Sequence, residues 1–255
     1  MNNKQEIEDK KSSQSDLKIE PDETVYYSHP DHQQDRWVIN SVFAGKRNGW
    51  FVEAGAGGQS NTRTLEKYYG WTGLGVEPEP ERFREISEYR ACHLENVCLT
   101  SEPGEVAFTI NLSAPGTSAV KDTLSNSLRN QFYSDDNTRD ITVTGVPLCD
   151  LLDKYEAPPM IDYLSLDVEG GEWDVLREFP FDRYGFRCMT IERGSDDYRL
   201  LRRKLLSLKY RLVRTQGPDD FWVHPTMTYR SSLTEWLGCR IRQFKQSIKR
   251  NATRL

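Results

Sequence analysis

The stretch GWFVEAGAGGQSNTRTLEKYYGWTGLGVEPEPERF, residues 49–83, decides the fold. An apolar run, 50–54, reads as a strand and breaks on Gly55, Ala56, Gly57 and Gly58. Residues 60–69 then read as a helix, 73–77 as a second strand closed by Glu77, and 79–88 as a second helix. A strand, a glycine turn, a helix and another strand in this order describe a parallel pair joined by a crossover. In such a sheet ligands bind beyond the C-terminal strand ends, where the strand order reverses.

The turn 55–57 lets a ligand approach the main chain, because glycine carries no side chain there. An acid at the end of the second strand, about twenty residues on, suits the two hydroxyls of a ribose. Glu77 holds that place, so an adenosine-type cofactor is expected. The dinucleotide pattern G-x-G-x-x-G requires a third glycine, and this chain has Ser60 instead. It also carries Glu53 just ahead of the glycines. A carboxylate there repels pyrophosphate and suits a cation, so S-adenosylmethionine is favoured over NAD. The alternative for Glu53 is a strand-end residue bonded to nearby backbone amides.

A second segment, IDYLSLDVEGGEWDVLREF (161–179), repeats the theme. Its strand, 161–167, ends at Asp167, Glu169 follows two positions later, and a helix opens at Glu172. Asp167 and Glu169 can share one face of an extended chain, whereas Glu172 fits the first helical turn as a structural residue. The strand 187–192 ends in Glu192. Three strands therefore deliver acids to one rim, at Glu77, at Asp167 with Glu169, and at Glu192. Asp167, Glu169 and Glu192 are the candidates for taking a proton from an acceptor hydroxyl, or for holding sugar-type hydroxyls. No metal ligand set is assigned, a divalent cation on these oxygens being the weaker reading. The four histidines are dispersed, and His93 reads as structural.

Elsewhere, strands are expected at 93–98, 105–110 and 141–147, helices at 148–155 and 197–207, and a lead-in helix around VYYSHPDHQQDRWVINSVF, residues 25–43. The runs 211–215 and 220–224, joined by Gly-Pro-Asp-Asp, read as a hairpin that makes the last strand antiparallel. Residues 1–23 are polar, lack aromatic side chains and read as a disordered tail. Residues 24–225 form the domain, and 226–255 read as a basic helical extension. Residues 199–255 hold 14 Lys and Arg against three Asp and Glu, which leaves 20 against 36 in the rest. Such a tail suits an anionic surface, or the chain's own acidic body.

The segments FVEAGAGGQSNTRTLEKYYGWTGLGVEPEPERF and IDYLSLDVEGGEWDVL, with QQDRWV upstream, VPLCDLL ahead of the next strand and LKYRLVRTQGPDDFWV near the end, resemble the FkbM family of S-adenosylmethionine-dependent methyltransferases. The similarity spans about residues 26–224, and its SNTRTLE and LDVEGGE blocks are its most specific parts. It implies an α/β, Rossmann-like class I methyltransferase fold, with a mostly parallel sheet, an antiparallel last strand and flanking helices. It also implies O-methylation of sugar, glycan, polyketide or related hydroxyls. Position by position, Glu53, Gly55, Ala56 and Gly57 match the cofactor turn, Glu77 the ribose acid, and Asn61 and Thr62 the polar start of the first helix. Asp167 and Glu169 match acids beside the reaction centre and cofactor, and Gln34 and Asp35 match a polar pair closing over the site. Glu53 and Gly57 stand where Asp and Asn-type residues are more usual, and the chain after 225 has no counterpart.

Net charge is −5, and the acidic body offers no basic groove with interleaved aromatics, which disfavours a nucleic-acid substrate. The expected partner is a small molecule or a glycan. Five scattered cysteines without a CxxC pair indicate reduced thiols. With no apolar run near the roughly 18 residues of a membrane span, and no secretory signal pattern, a cytoplasmic enzyme is expected. A catalytically silent binding or trafficking protein on the same fold, and an NAD-dependent oxidoreductase, are the alternatives.

Overall fold

A computed structural model describes residues 24–121, 123, 137–195 and 197–229. The tail 1–23 and the extension from 230 onward lie outside these residues, as do 122 and 124–136 of the polar segment.

The first two strands form as expected, β1 (Trp50–Ala54) and β2 (Thr72–Val76), and they pair in parallel across α2 (Arg63–Tyr69). The helix α3 (Pro80–Ser87) leads from β2 to β3 (His93–Glu95), with Pro80 in its first turn, where a missing N–H costs nothing. On the other side of β1 lie β8 (Met160–Leu166) and β9 (Gly185–Glu192), both parallel to it. The hairpin of β10 (Arg211–Gln216) and β11 (Asp219–Val223) adds antiparallel strands, so the sheet runs β10-β11-β9-β8-β1-β2-β3. The order reverses at β1, the place where such sheets bind ligands. This is the Rossmann-like methyltransferase architecture.

The helices α4 (Leu148–Lys154), α5 (Glu172–Arg177) and α6 (Tyr198–Ser207) accompany one face. Strand periodicity separates two cores. Val52, Ala54, Leu164, Met189 and Trp222 belong to one cluster; Phe51, Tyr163, Cys188 and Phe221 belong to the other. The second cluster is closed by the lead-in segment. There the expected helix is short, α1 (Gln34–Arg36), and passes into a wider π turn over Trp37–Val42. Trp37 meets Phe221 edge-on at 4.9 Å, and its ring N–H donates to the Tyr229 hydroxyl at 3.1 Å.

One expected strand proves to be two. The run 93–98 divides into β3 and β4 (Cys98–Thr100), because Asn96 turns the chain by donating to the carbonyls of Glu77 and Pro78. β4 starts a second sheet, β4-β7-β5-β6, with β5 (Gly104–Asn111), β6 (Ala119–Val120) and β7 (Thr138–Pro147). β5 and β7 pair antiparallel from Gly104–Gly145 to Asn111–Thr138. Their half-exposed pattern belongs to a sheet with one wet face, not to a buried parallel sheet. Among the described residues, no helix is long and apolar enough to cross a membrane.

Trp37 is 1% exposed and ties the lead-in to the last hairpin. Trp37→Ala is expected to lower the unfolding free energy by about 3–5 kcal/mol, measured by urea denaturation followed by circular dichroism. A loss below about 1 kcal/mol would show that the lead-in is not part of the cooperative core.

Candidate active site

A cleft of about 380 Å³ opens beyond the C-terminal ends of β1, β2 and β8. Its floor is the glycine turn. Gly55 has φ +81°, and a Cβ there would lie 2.0 Å from the Asp167 carbonyl oxygen, so the main chains of the two turns touch. A Cβ on Gly57 would lie 2.3 Å from Glu77 Oε2, which instead accepts the Gly57 N–H at 2.8 Å. Glu77 Oε1 accepts the Glu79 N–H at 2.9 Å. Burial raises the Glu77 pKa, opposed by Arg82. Val76, Leu99 and Phe108 give the cleft an apolar wall, and Ser118 and Val120 from the second sheet extend it.

Glu53 requires a correction. It is 1% exposed and does not line the cleft. Its carboxylate accepts the Ser60 hydroxyl, the Asn61 N–H, the Thr62 hydroxyl at 2.6 Å and Arg90 Nη1 at 2.8 Å. The expectation that it faces a cationic ligand therefore gives way to the alternative, a strand-end acid bonded to nearby amides. Ser60 Oγ in turn accepts the N–H groups of Thr62 and Arg63, at 3.2 and 3.0 Å. Residues 60–62 are thus used as a polar knot, and α2 starts at Arg63 and not at 60.

The other expected residues divide in the same way. Gly55, Gly57, Asn61, Glu77, Asp167 and Gln34 line the cleft. Asn61 donates to the Ser165 hydroxyl at 2.9 Å, and Gln34 Nε2 to Asp219 Oδ2 at 2.9 Å. Ala56 and Thr62 are fully buried behind the turn and do not line it. Asp35 does not close over the site either. It accepts the N–H groups of Tyr27 and Ser28 and the hydroxyls of Ser28 and Thr64, which clamps the lead-in onto α2.

Asp167, Glu169 and Glu192 converge, with ligand oxygens all within 4.8 Å of one another. Glu169 sits in left-handed backbone, φ 52°, which folds the turn after β8 back over Asp167. Burial raises all three pKa values; repulsion from Asp167 adds to it at the other two, pushing Glu169 up to about 8 and Glu192 up to about 11, whereas a hydrogen bond with Glu192 and the charge of Arg82 oppose the rise at Asp167. Glu172, read as structural, accepts the N–H groups of Val168 and Gly170 beneath this turn, and burial pushes it up to about 7.

Several lining residues escaped the sequence reading. Arg82, in the first turn of α3, donates to the Gly57 carbonyl and acts electrostatically on Glu77, Asp167 and Glu169. Only its place five positions after Glu77 hints at this. His29 and His32, dispersed in sequence, pack with tilted rings at 4.5 Å between centroids and line the cleft. His32 Nδ1 lies 3.4 Å from Asp219 Oδ2. His93 stacks on Tyr155 at 4.3 Å, consistent with packing.

Residues 44–212 match the family model of the methyltransferase FkbM domain. The chain belongs to the FkbM methyltransferase family. Among solved structures, this FkbM methyltransferase is similar to a human methyltransferase 10 domain containing protein, with 15% identity over 75% of this chain and 79% of that one, and a TM-score of 0.37. No curated protein matches it.

The knot under the cleft depends on Arg90, whose side chain is fully buried between Glu53 and Glu66. Arg90→Met strands the buried Glu53 carboxylate and takes the ion-pair partner from half-buried Glu66, and is expected to cost about 3–5 kcal/mol of stability. Chemical denaturation of both proteins measures this, and an unchanged midpoint would contradict it.

Proposed function

We propose that this FkbM methyltransferase binds S-adenosylmethionine in the cleft and methylates a hydroxyl of a sugar, glycan or small natural product. One observation carries the choice of cofactor. The N–H groups at the start of α2 are consumed internally, that of Asn61 by Glu53 and those of Thr62 and Arg63 by Ser60. A dinucleotide needs such a helix start for its pyrophosphate, whereas a nucleoside without phosphate does not.

The residues present fit an adenosine group. Each Glu77 oxygen accepts one backbone N–H and keeps a lone pair for a ribose hydroxyl. Gly55 and Gly57 leave the main chain open to close approach, and Val76, Leu99 and Phe108 offer an apolar wall to the base. When bound, S-adenosylmethionine supplies a methyl group on a positively charged sulfur. The acidic rim suits that charge.

Methyl transfer to an alcohol needs an aligned oxygen and a group to receive its proton. Asp167, Glu169 and Glu192 supply carboxyl groups at the inner rim, where Glu169 and Glu192, their pKa values raised, hold acceptor hydroxyls and Asp167 takes the proton released. Gln34 adds a polar amide from the lead-in. We assign the reaction to the cytoplasm, since Cys92, Cys98, Cys149 and Cys188 are free thiols.

Calorimetry is expected to detect S-adenosylmethionine binding and no NAD binding. Glu77→Ala should weaken cofactor affinity by about 10–100-fold, the loss of hydrogen bonds to a charged group, while Asp167→Asn should chiefly lower turnover, by about 10²-fold or more. Turnover is read by mass spectrometry of glycan and metabolite extracts incubated with labelled methyl donor. Tight NAD binding, or cofactor affinity unaltered by Glu77→Ala, overturns the assignment.

A further inference from the structure

The inner rim of the cleft holds more carboxyl groups than proton transfer calls for. β8 and β9 run in parallel with Leu166 opposite Ile191, so the residues that follow, Asp167 and Glu192, leave adjacent strands at the same level. The left-handed turn at Glu169 brings a third carboxylate to them. One oxygen from each lies within 4.8 Å of the others. Three oxygens at that spacing have a common centre no more than about 2.8 Å from each, so a small inward rotation of the side chains brings all three to the roughly 2.1–2.5 Å of magnesium and calcium sites.

An independent feature points to the same ligand. Gln34 comes from the lead-in and is 3% exposed. Its Nε2 donates to Asp219 Oδ2, which fixes the amide and leaves Oε1 buried without a hydrogen-bond partner. Gln34 lines the cleft together with Asp167 and Glu169, and Asp219 is the strand partner of Glu192. Beneath the turn, Glu172 is fully buried, and its Oε2 is also unpartnered. Buried oxygens normally find a donor. Here an unpartnered acceptor from the lead-in lines the same cleft as the carboxyl cluster, and a hard cation satisfies both.

We propose that the carboxylates of Asp167, Glu169 and Glu192 bind one hard divalent cation of the magnesium, manganese or calcium class. The all-oxygen donor set favours these ions over zinc or copper. The proposal deepens the methyl-transfer reading and rests on it for the ion's use. A cation at this rim selects acceptors that offer two neighbouring oxygens, such as a vicinal diol of a sugar, and acidifies the hydroxyl it holds.

The test is titration of the chelator-stripped full chain with Mn²⁺, followed by electron paramagnetic resonance. One ion per chain is expected to bind, with competition by Mg²⁺ or Ca²⁺. Glu169→Gln and Glu192→Gln, which keep the side-chain shape, should each weaken it by about tenfold or more, whereas Glu102→Gln on the exposed surface should not. Circular dichroism verifies that each variant is folded. A free-ion signal throughout the titration, or Mn²⁺ bound equally by wild type and both rim variants, overturns the proposal. Calorimetry with S-adenosylmethionine in the presence of chelator separates the two readings. A chain that binds the cofactor but never Mn²⁺ loses only the cation site. A chain that binds Mn²⁺ at these acids but not the cofactor loses only the cofactor reading.

Discussion

The buried contact between Glu53 and Arg90 organises the cofactor end of the sheet. A carboxylate at the end of β1 is costly to bury alone, and Arg90 with Ser60, Asn61 and Thr62 satisfies it fully. The same bonds fix how the chain leaves β1, where α2 begins, and which amides remain for a ligand. Arg90 reaches on to Glu66, whose other oxygen accepts the N–H groups of Ala91 and Cys92, so the knot also anchors the approach to β3. The amides of Asn61, Thr62 and Arg63 are thus occupied by hydrogen bonds beneath the cleft, and the Glu53 charge does not face into it.

A second constraint is the main-chain contact between the turns after β1 and β8. Gly55 has no room for a Cβ because the Asp167 carbonyl occupies that space. The glycine therefore brings the acidic turn close to the cofactor turn as well as opening the floor. That closeness joins the two halves of the site. On one side lie Glu77 and the apolar wall, on the other Asp167, Glu169 and Glu192. Methyl transfer requires a donor and an acceptor held against each other, and the reversal of strand order at β1 provides two adjacent turns for them.

The second sheet gives the cleft a side that a bare parallel sheet lacks. Phe108, Ser118 and Val120 reach it from β5, from the loop before β6, and from β6. The lead-in closes the opposite edge through His29, His32 and Gln34. Asp35 lets it do so by holding Tyr27, Ser28 and Thr64 together. The cleft is thus assembled from segments distant in sequence around one continuous stretch, the glycine turn and Glu77.

Local pattern by itself determined the parallel pair around the glycine turn, the place of Glu77, the closing hairpin and the three strand-end acids. Each depends on strand periodicity, turn chemistry or a fixed spacing, all of which short segments carry. Only the tertiary structure decided which polar groups face the cleft. Glu53 and Asp35 carry the same charge as Glu77 and Asp167, yet Arg90, Thr64 and nearby amides turn them inward. Arg82, His32 and Asp219 enter the site through contacts across the fold that no spacing encodes. The split of 93–98 between two sheets likewise depends on Asn96 bonding carbonyls 18 and 19 residues away. A side chain's type can be read from the sequence, but whether it meets solvent, a ligand or a buried partner is settled when distant segments compete for it.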